Sequence, residues 1–125
     1  MKNNITCEGL KNISKVCWKN LKRINLDKNF IKSKGFEYLV KADWPELEAF
    51  SLGHGEIGTE GSMYFTQINW PKLQSLNLNY SLIGVEGMRQ FAKCNFPELR
   101  HLEMSIYLFM KQIIEFLQKE YIISH

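Results

Sequence analysis

Cysteine is scarce in this chain of 125 residues: Cys7, Cys17 and Cys94 are an odd number and form no C-x-x-C pair. A disulfide framework and a thiolate metal site are therefore disfavoured, and the three read as reduced, mostly buried thiols. No apolar run approaches the roughly 20 residues that span a bilayer, so membrane insertion is not expected. Met1 to Leu10 lack the apolar core of a secretory signal, which makes the cytoplasm the expected location. For the same reason the sequons at Asn4, Asn12 and Asn79 are read as silent. Disorder is excluded by an apolar fraction of 45% against 23% charged. The length fits a single domain over residues 1–125.

Net charge is low, at +3, but unevenly placed: residues 1–41 hold ten Lys/Arg against three acids, and the rest hold six against ten. A basic first third beside an acidic remainder can steer a charged partner, although lysine runs on repeat proteins are ordinarily solvated faces.

The three prolines reveal the organisation. Trp18, Trp44, Trp70 and Phe96 stand 26 residues apart, and the last three are followed by Pro45, Pro71 and Pro97. Lys19 takes the proline place in the first unit, while Leu21, Leu47, Leu73 and Leu99 complete the pattern in all four. Segments 44–69 and 70–95 share ten identical residues out of 26, far more than composition alone gives. The chain divides into a partial unit at 3–17, units 18–43, 44–69 and 70–95, and a degenerate unit with a capping helix at 96–125.

Within each unit the apolar spacing switches period. Ile24 and Leu26, Phe50 and Leu52, Leu76 and Leu78, and Leu102 and Met104 are each two apart, as on one face of a strand. Gly35, Leu39 and Ala42 recur as Gly61, Phe65 and Ile68 and as Gly87, Phe91 and Cys94, steps of four and three that make one helical stripe. Strands are expected around 24–26, 50–52, 76–78 and 102–104, and helices around 33–42, 59–68 and 86–94. Ser33 and Thr59 stand at expected N-caps, and each proline is expected to stop the helix before it. A unit this small cannot bury its own apolar face, so neighbours must stack, with strands parallel and right-handed crossovers placing helices outside.

The full L-x-x-L-x-L-x-x-N run at Leu21 to Asn29, with the Ile57-Gly58-Thr59-Glu60-Gly61 and Ile83-Gly84-Val85-Glu86-Gly87 segments, resembles the leucine-rich-repeat family, in its ribonuclease-inhibitor-like and cysteine-containing subclasses. The resemblance covers about Asn3 to Phe109. It implies an α/β, right-handed solenoid with short parallel strands on the concave side and helices on the convex side. It also implies protein binding, as members of this family often form the recognition part of a larger receptor, ubiquitin-ligase adaptor or kinase. The asparagine ladder of the family is kept at Asn29, while Gly55, Ser81 and Tyr107 fill its later places. Since the sequence opens in mid-unit at Asn3, a piece of a longer array is expected, with residues 109–121 covering the open end of the core as an amphipathic helix.

The outward strand positions are the candidate site: Arg23, Asn25, Asp27 and Lys28; Ala49, Ser51, Gly53 and His54; Ser75, Asn77, Asn79 and Tyr80; His101, Glu103, Ser105 and Ile106. Of these, Arg23, Asn25, Lys28, Ser51, His54, Asn77, Asn79, Tyr80, His101 and Glu103 are the expected contacts of a protein or peptide partner, with Tyr80 as anchor. The alternative is nucleic-acid or anionic-surface binding through Lys11, Lys15, Lys19, Lys22, Arg23, Lys28, Lys32 and Lys34, which lack interleaved aromatics. Gly53-His54-Gly55-Glu56-Ile57-Gly58 spells G-x-G-x-x-G, but the acid expected about 20 residues on is replaced by Asn77 or Asn79. The histidines lack metal-ligand spacing, and Cys94 fits the buried stripe. No enzyme activity, metal or cofactor is expected.

Overall fold

The computed structural model describes residues 5–104, with 114–115 and 117–119. The chain is α/β. A four-stranded parallel sheet is ordered β1 (Arg23–Asn25), β2 (Ala49–Ser51), β3 (Ser75–Asn77), β4 (His101–Glu103). Helices α1 (Cys7–Lys15), α2 (Lys32–Leu39), α3 (Gly58–Ser62) and α4 (Gly84–Ala92) alternate with the strands, and a 3₁₀ turn follows α3 at Phe65–Gln67. Among the described residues no helix is long and apolar enough to cross a membrane.

The 26-residue period becomes the strand register. Arg23 pairs with Ala49, Ala49 with Ser75 and Ser75 with His101, each step one repeat long. The strands lie one residue earlier than the sequence pattern places them. The ladder nevertheless runs on through the expected residues, because the Leu26, Leu52 and Leu78 amides donate to the Ser51, Asn77 and Glu103 carbonyls at 2.8–2.9 Å.

The apolar positions close a core between sheet and helices that includes Trp44, Leu47, Phe50, Leu52, Phe65, Trp70, Leu73, Leu76 and Leu78. Aromatic rings stack from unit to unit. Trp18 lies 6.3 Å from Trp44 at 6°, and Trp44 lies 5.6 Å from Trp70 at 23°. A second row runs edge to face through Phe36, Phe65 and Phe91 at 5.5 Å per step. The helices approach closely at the repeated glycine. A Cβ on Gly35 would stand 2.6 Å from Leu10 Cδ1, one on Gly61 would stand 3.3 Å from the Ser33 backbone, and one on Gly87 would stand 3.2 Å from Ser62 Cβ.

The helices differ from their expected form in three ways. They end early: Ala42, Ile68 and Cys94 lie beyond the helical residues in turns where their amides donate to Leu39, Phe65 and Phe91. The third is cut to one turn at Ser62, where Gly61 and Ser62 form helix poorly and the Ser62 hydroxyl donates to the Thr59 carbonyl at 2.5 Å. Ser33 and Thr59 do not cap either: α2 and α3 have no side-chain cap, and the Thr59 hydroxyl donates across to the Ile83 carbonyl at 3.2 Å. Instead, the opening amides of Lys32 and Gly58 donate to the Gly55 and Ser81 carbonyls of the following unit at 2.8 and 2.9 Å. Stacking supplies the acceptors that a cap would otherwise provide.

The prolines act in turns rather than as helix stops, since α2 ends at Leu39 and Pro45 comes six residues later. In each unit the residue three beyond the aromatic donates back to the aromatic's carbonyl, Leu47 to Trp44, Leu73 to Trp70 and Leu99 to Phe96, with proline second in the turn. Leu21 makes the same bond to Trp18 at 3.2 Å with Lys19 in that place. Lys19→Pro is therefore expected to raise stability by about 0.4–1 kcal/mol by restricting the unfolded chain. Urea denaturation checks this, and an unchanged or lower midpoint contradicts it.

At the far end, β4 is exposed, with Leu102 at 39%. Ile114 and Leu117 are helical and exposed, at 50% and 44%; the rest of the expected 109–121 cap, and Ser105, Ile106 and Tyr107, fall outside the described residues.

Candidate functional site

Outward positions of the sheet are built by alternation: Ile24, Phe50 and Leu76 turn to the core, while Arg23 and Asn25, Ala49 and Ser51, and Ser75 and Asn77 flank them on the other side. A depression over this face is lined by Arg23, Ile24, Asn25, Ala49, Phe50, Ser51, Ser75, Asn77 and Glu103. Arg23, Asn25, His101 and Glu103 are exposed; Ser51, Asn77 and Asn79 are half-buried.

These side chains are linked sideways. Asp27 Oδ1 accepts from Ser51 Oγ at 2.6 Å and from the Gly53 amide at 2.7 Å. Asn77 Nδ2 donates to Ser51 Oγ at 3.1 Å, and Asn79 Nδ2 donates to Glu103 Oε2 at 3.3 Å. Asn25 and Asn77 each accept, through Oδ1, the amide two residues on, at 2.8 and 2.9 Å. Asp27, an outward position left out of the expected contacts, is thus the hub joining β1 to β2. The signal was present in the sequence: Asp27 lies 26 residues before Gly53, whose missing side chain leaves space for the carboxylate, a Cβ there standing 3.2 Å from Oδ1.

Beyond the strands the backbone turns through a corner that repeats in left-handed conformation at every second residue. Lys28, His54 and Tyr80 have φ of 61°, 60° and 57°, and Phe30, Glu56 and Leu82 follow at 49°, 52° and 60°. Lys32, Gly58 and Gly84 complete the series at 62° to 68°. Most of these are residues that avoid such φ at a cost of about 1–2 kcal/mol each, so cross-repeat bonding must hold them there. The Lys28 and His54 amides donate to the Gly53 and Asn79 carbonyls at 2.8 Å. The corner sets His54 against Tyr80, ring centroids 4.3 Å apart and planes at 16°, as their neighbouring places imply. Tyr80 stays 48% exposed.

The ladder place is held differently in each unit. Asn29 is buried, donates to the Leu26 and Asp27 carbonyls and accepts the Ile5 amide at 3.3 Å. Gly55 keeps the same corner without a side chain, because a Cβ there would stand 2.8 Å from Leu52 Cγ.

The G-x-G-x-x-G segment has no free cradle for phosphate. The Gly53, His54, Gly55 and Gly58 amides donate respectively to Asp27 Oδ1 and to the carbonyls of Asn79, Leu52 and Ser81. Nor are the thiols set up as nucleophiles. Cys7 and Cys17 are exposed and Cys94 is half-buried, so they are not mostly buried as the composition suggests. Cys17 Sγ donates to Asp43 Oδ2 at 3.3 Å, and that bond pushes its thiol up; burial does the same for Cys94. Among the described residues no three His, Cys, Asp or Glu side chains gather as a metal site requires.

The basic residues do not share one face. Lys11 and Lys15 lie on α1, Lys19 in the first turn, Lys22 and Arg23 at β1, Lys28 and Lys32 at the corner, and Lys34 on α2, where it pairs with Glu37 at 3.3 Å. A scan against protein-family models finds no match, and a search of curated proteins finds none either.

Proposed function

We propose that this chain is a leucine-rich-repeat solenoid, right-handed, with strands on its concave and helices on its convex side, which binds a protein or peptide partner on the outward face of the sheet. The observation that carries this reading is the set of laterally bonded, solvent-facing side chains from Asp27 to Glu103. They are already ordered by one another, so a partner loses little further side-chain freedom on meeting them. Arg23, Asn25, Lys28, Ser51, His54, Asn77, Asn79, Tyr80, His101 and Glu103 would make the contacts. A face of four three-residue strands offers fewer positions than the roughly 20–30 residues per side of a standard stable interface. Weak or transient binding by this chain alone follows.

The lysine-rich alternative is weaker. Charges spread over helix, turn, strand and corner do not form the single basic stripe along which a phosphate backbone runs.

Tyr80→Ala is expected to weaken partner binding by about 1–2 kcal/mol, as loss of an exposed aromatic anchor does. Stability should hardly fall, since half of the ring is in solvent. The measurement is affinity for a partner captured from cell extract, beside a thermal melt of each variant. Binding that survives Tyr80→Ala but is abolished by changes at Glu37 or Arg89 on the helices would reverse the assignment of faces.

A further inference from the structure

We propose that the depression over the sheet takes an extended peptide segment of a partner protein, laid across the strands, with an acidic side chain of that segment against Arg23 and a basic one against Glu103. This rests on the protein-binding reading and adds the charge pattern of the ligand. The floor is made of short side chains, Ala49, Ser51 and Ser75, which leave room for a peptide backbone. Ser51 and Asn77 offer it hydrogen bonds. The two walls carry opposite charge. Arg23, on edge strand β1, is exposed and makes no ion pair among the described residues. Glu103, on edge strand β4, is exposed; its carboxylate accepts from the neutral Asn79 amide and makes no ion pair among the described residues.

Asp27 does not cancel Arg23. Its carboxylate is turned toward β2 and accepts two short bonds there, from Ser51 Oγ at 2.6 Å and the Gly53 amide at 2.7 Å. Lys28, exposed at the β1 corner, adds to the positive side. Three strand intervals of about 4.8 Å, with Glu103 two residues further along its strand than the register partner of Arg23, separate the walls by about 16 Å on the diagonal, and an extended peptide advances about 3.3 Å per residue. An acid and a base about five residues apart therefore reach both walls. A uniformly acidic ligand, nucleic acid included, would meet Glu103, and a uniformly basic one would meet Arg23.

The test is a random dodecapeptide display library selected on the full chain, followed by amide chemical-shift mapping with the enriched peptides. Enriched sequences are expected to carry one Asp or Glu and one Lys or Arg about four to six residues apart, and to shift the amides of Ala49, Ser51, Ser75 and Asn77. Arg23→Glu should redirect the selection to peptides with two basic residues, and Glu103→Arg to peptides with two acidic ones. Each single reversal should weaken a peptide selected on the wild type at least tenfold. The double reversal should restore it to within threefold, with the peptide running the opposite way. Both side chains are exposed, and unchanged melting of the variants checks that they fold. Peptides that shift the same amides but lack the charge pair, or ignore both reversals, overturn this inference and leave protein binding by the sheet standing. Peptides that shift only helix amides overturn both. A selection that enriches nothing overturns the inference as well.

Discussion

Trp70→Ala is expected to destabilise the protein by about 3–5 kcal/mol, the usual cost of truncating a buried tryptophan. Domains of this size are held by about 5–15 kcal/mol in all, so the variant should lose a large share of its stability and unfold at a clearly lower denaturant concentration. Trp70 is buried, stacks on Trp44, lies 4.8 Å from Phe50 by ring centroid, and donates from Nε1 to the Ala42 carbonyl at 3.3 Å. Its removal opens a cavity where three aromatic side chains from two units meet. Milder substitutions separate packing from hydrogen bonding. Trp44 is equally buried, yet its Nε1 has no partner among the described residues. Phenylalanine there removes an unsatisfied donor, which costs about 1–3 kcal/mol to bury, and so offsets part of the lost volume. At Trp70 the same change removes a satisfied donor and leaves the Ala42 carbonyl without it. Trp44→Phe should therefore cost less than Trp70→Phe. Chemical denaturation of the three variants decides, and the reverse order for the phenylalanine pair would show that ring volume alone governs the stack.

Leu78→Ala should cost about 2–5 kcal/mol and should loosen the end of the sheet first. Leu78 is buried, and its amide donates to the Glu103 carbonyl at 2.8 Å, one of the bonds that hold β4 on β3. A cavity under that bond weakens the edge strand that carries His101 and Glu103. Hydrogen exchange should then show the amides of β4 and of Leu78 losing protection before those of β1 and β2. Uniform loss along all four strands would mean that the units unfold as one block. The contrast with Tyr80→Ala is the useful part, because the two residues are two apart. One should remove stability and the other binding: residues two apart on a strand would share a face, but Tyr80 stands beyond β3 in the left-handed corner, at φ 57°, which leaves its ring half exposed while Leu78 is buried.

The sequence by itself determined the period, the parallel register and the inward residues. A strand, a corner, a helix and a turn repeated every 26 residues allow little besides stacking in register, and so Arg23 falls beside Ala49 and Trp44 on Trp70. The proximity of His54 and Tyr80 was legible for the same reason. Only the tertiary structure decided what depends on atoms in a neighbouring unit. Helix lengths were not legible, because the first amides of α2 and α3 find their acceptors in the next unit's corner rather than in Ser33 or Thr59. The left-handed corner at Lys28, Phe30 and Lys32 was equally hidden, since none of these residues favours that conformation and cross-repeat bonds impose it. Asp27 became the hub of the outward face for a similar reason. Its place one repeat before Gly53 is visible in the sequence, but which atoms its carboxylate bonds is decided only when stacking brings Gly53 and Ser51 within reach.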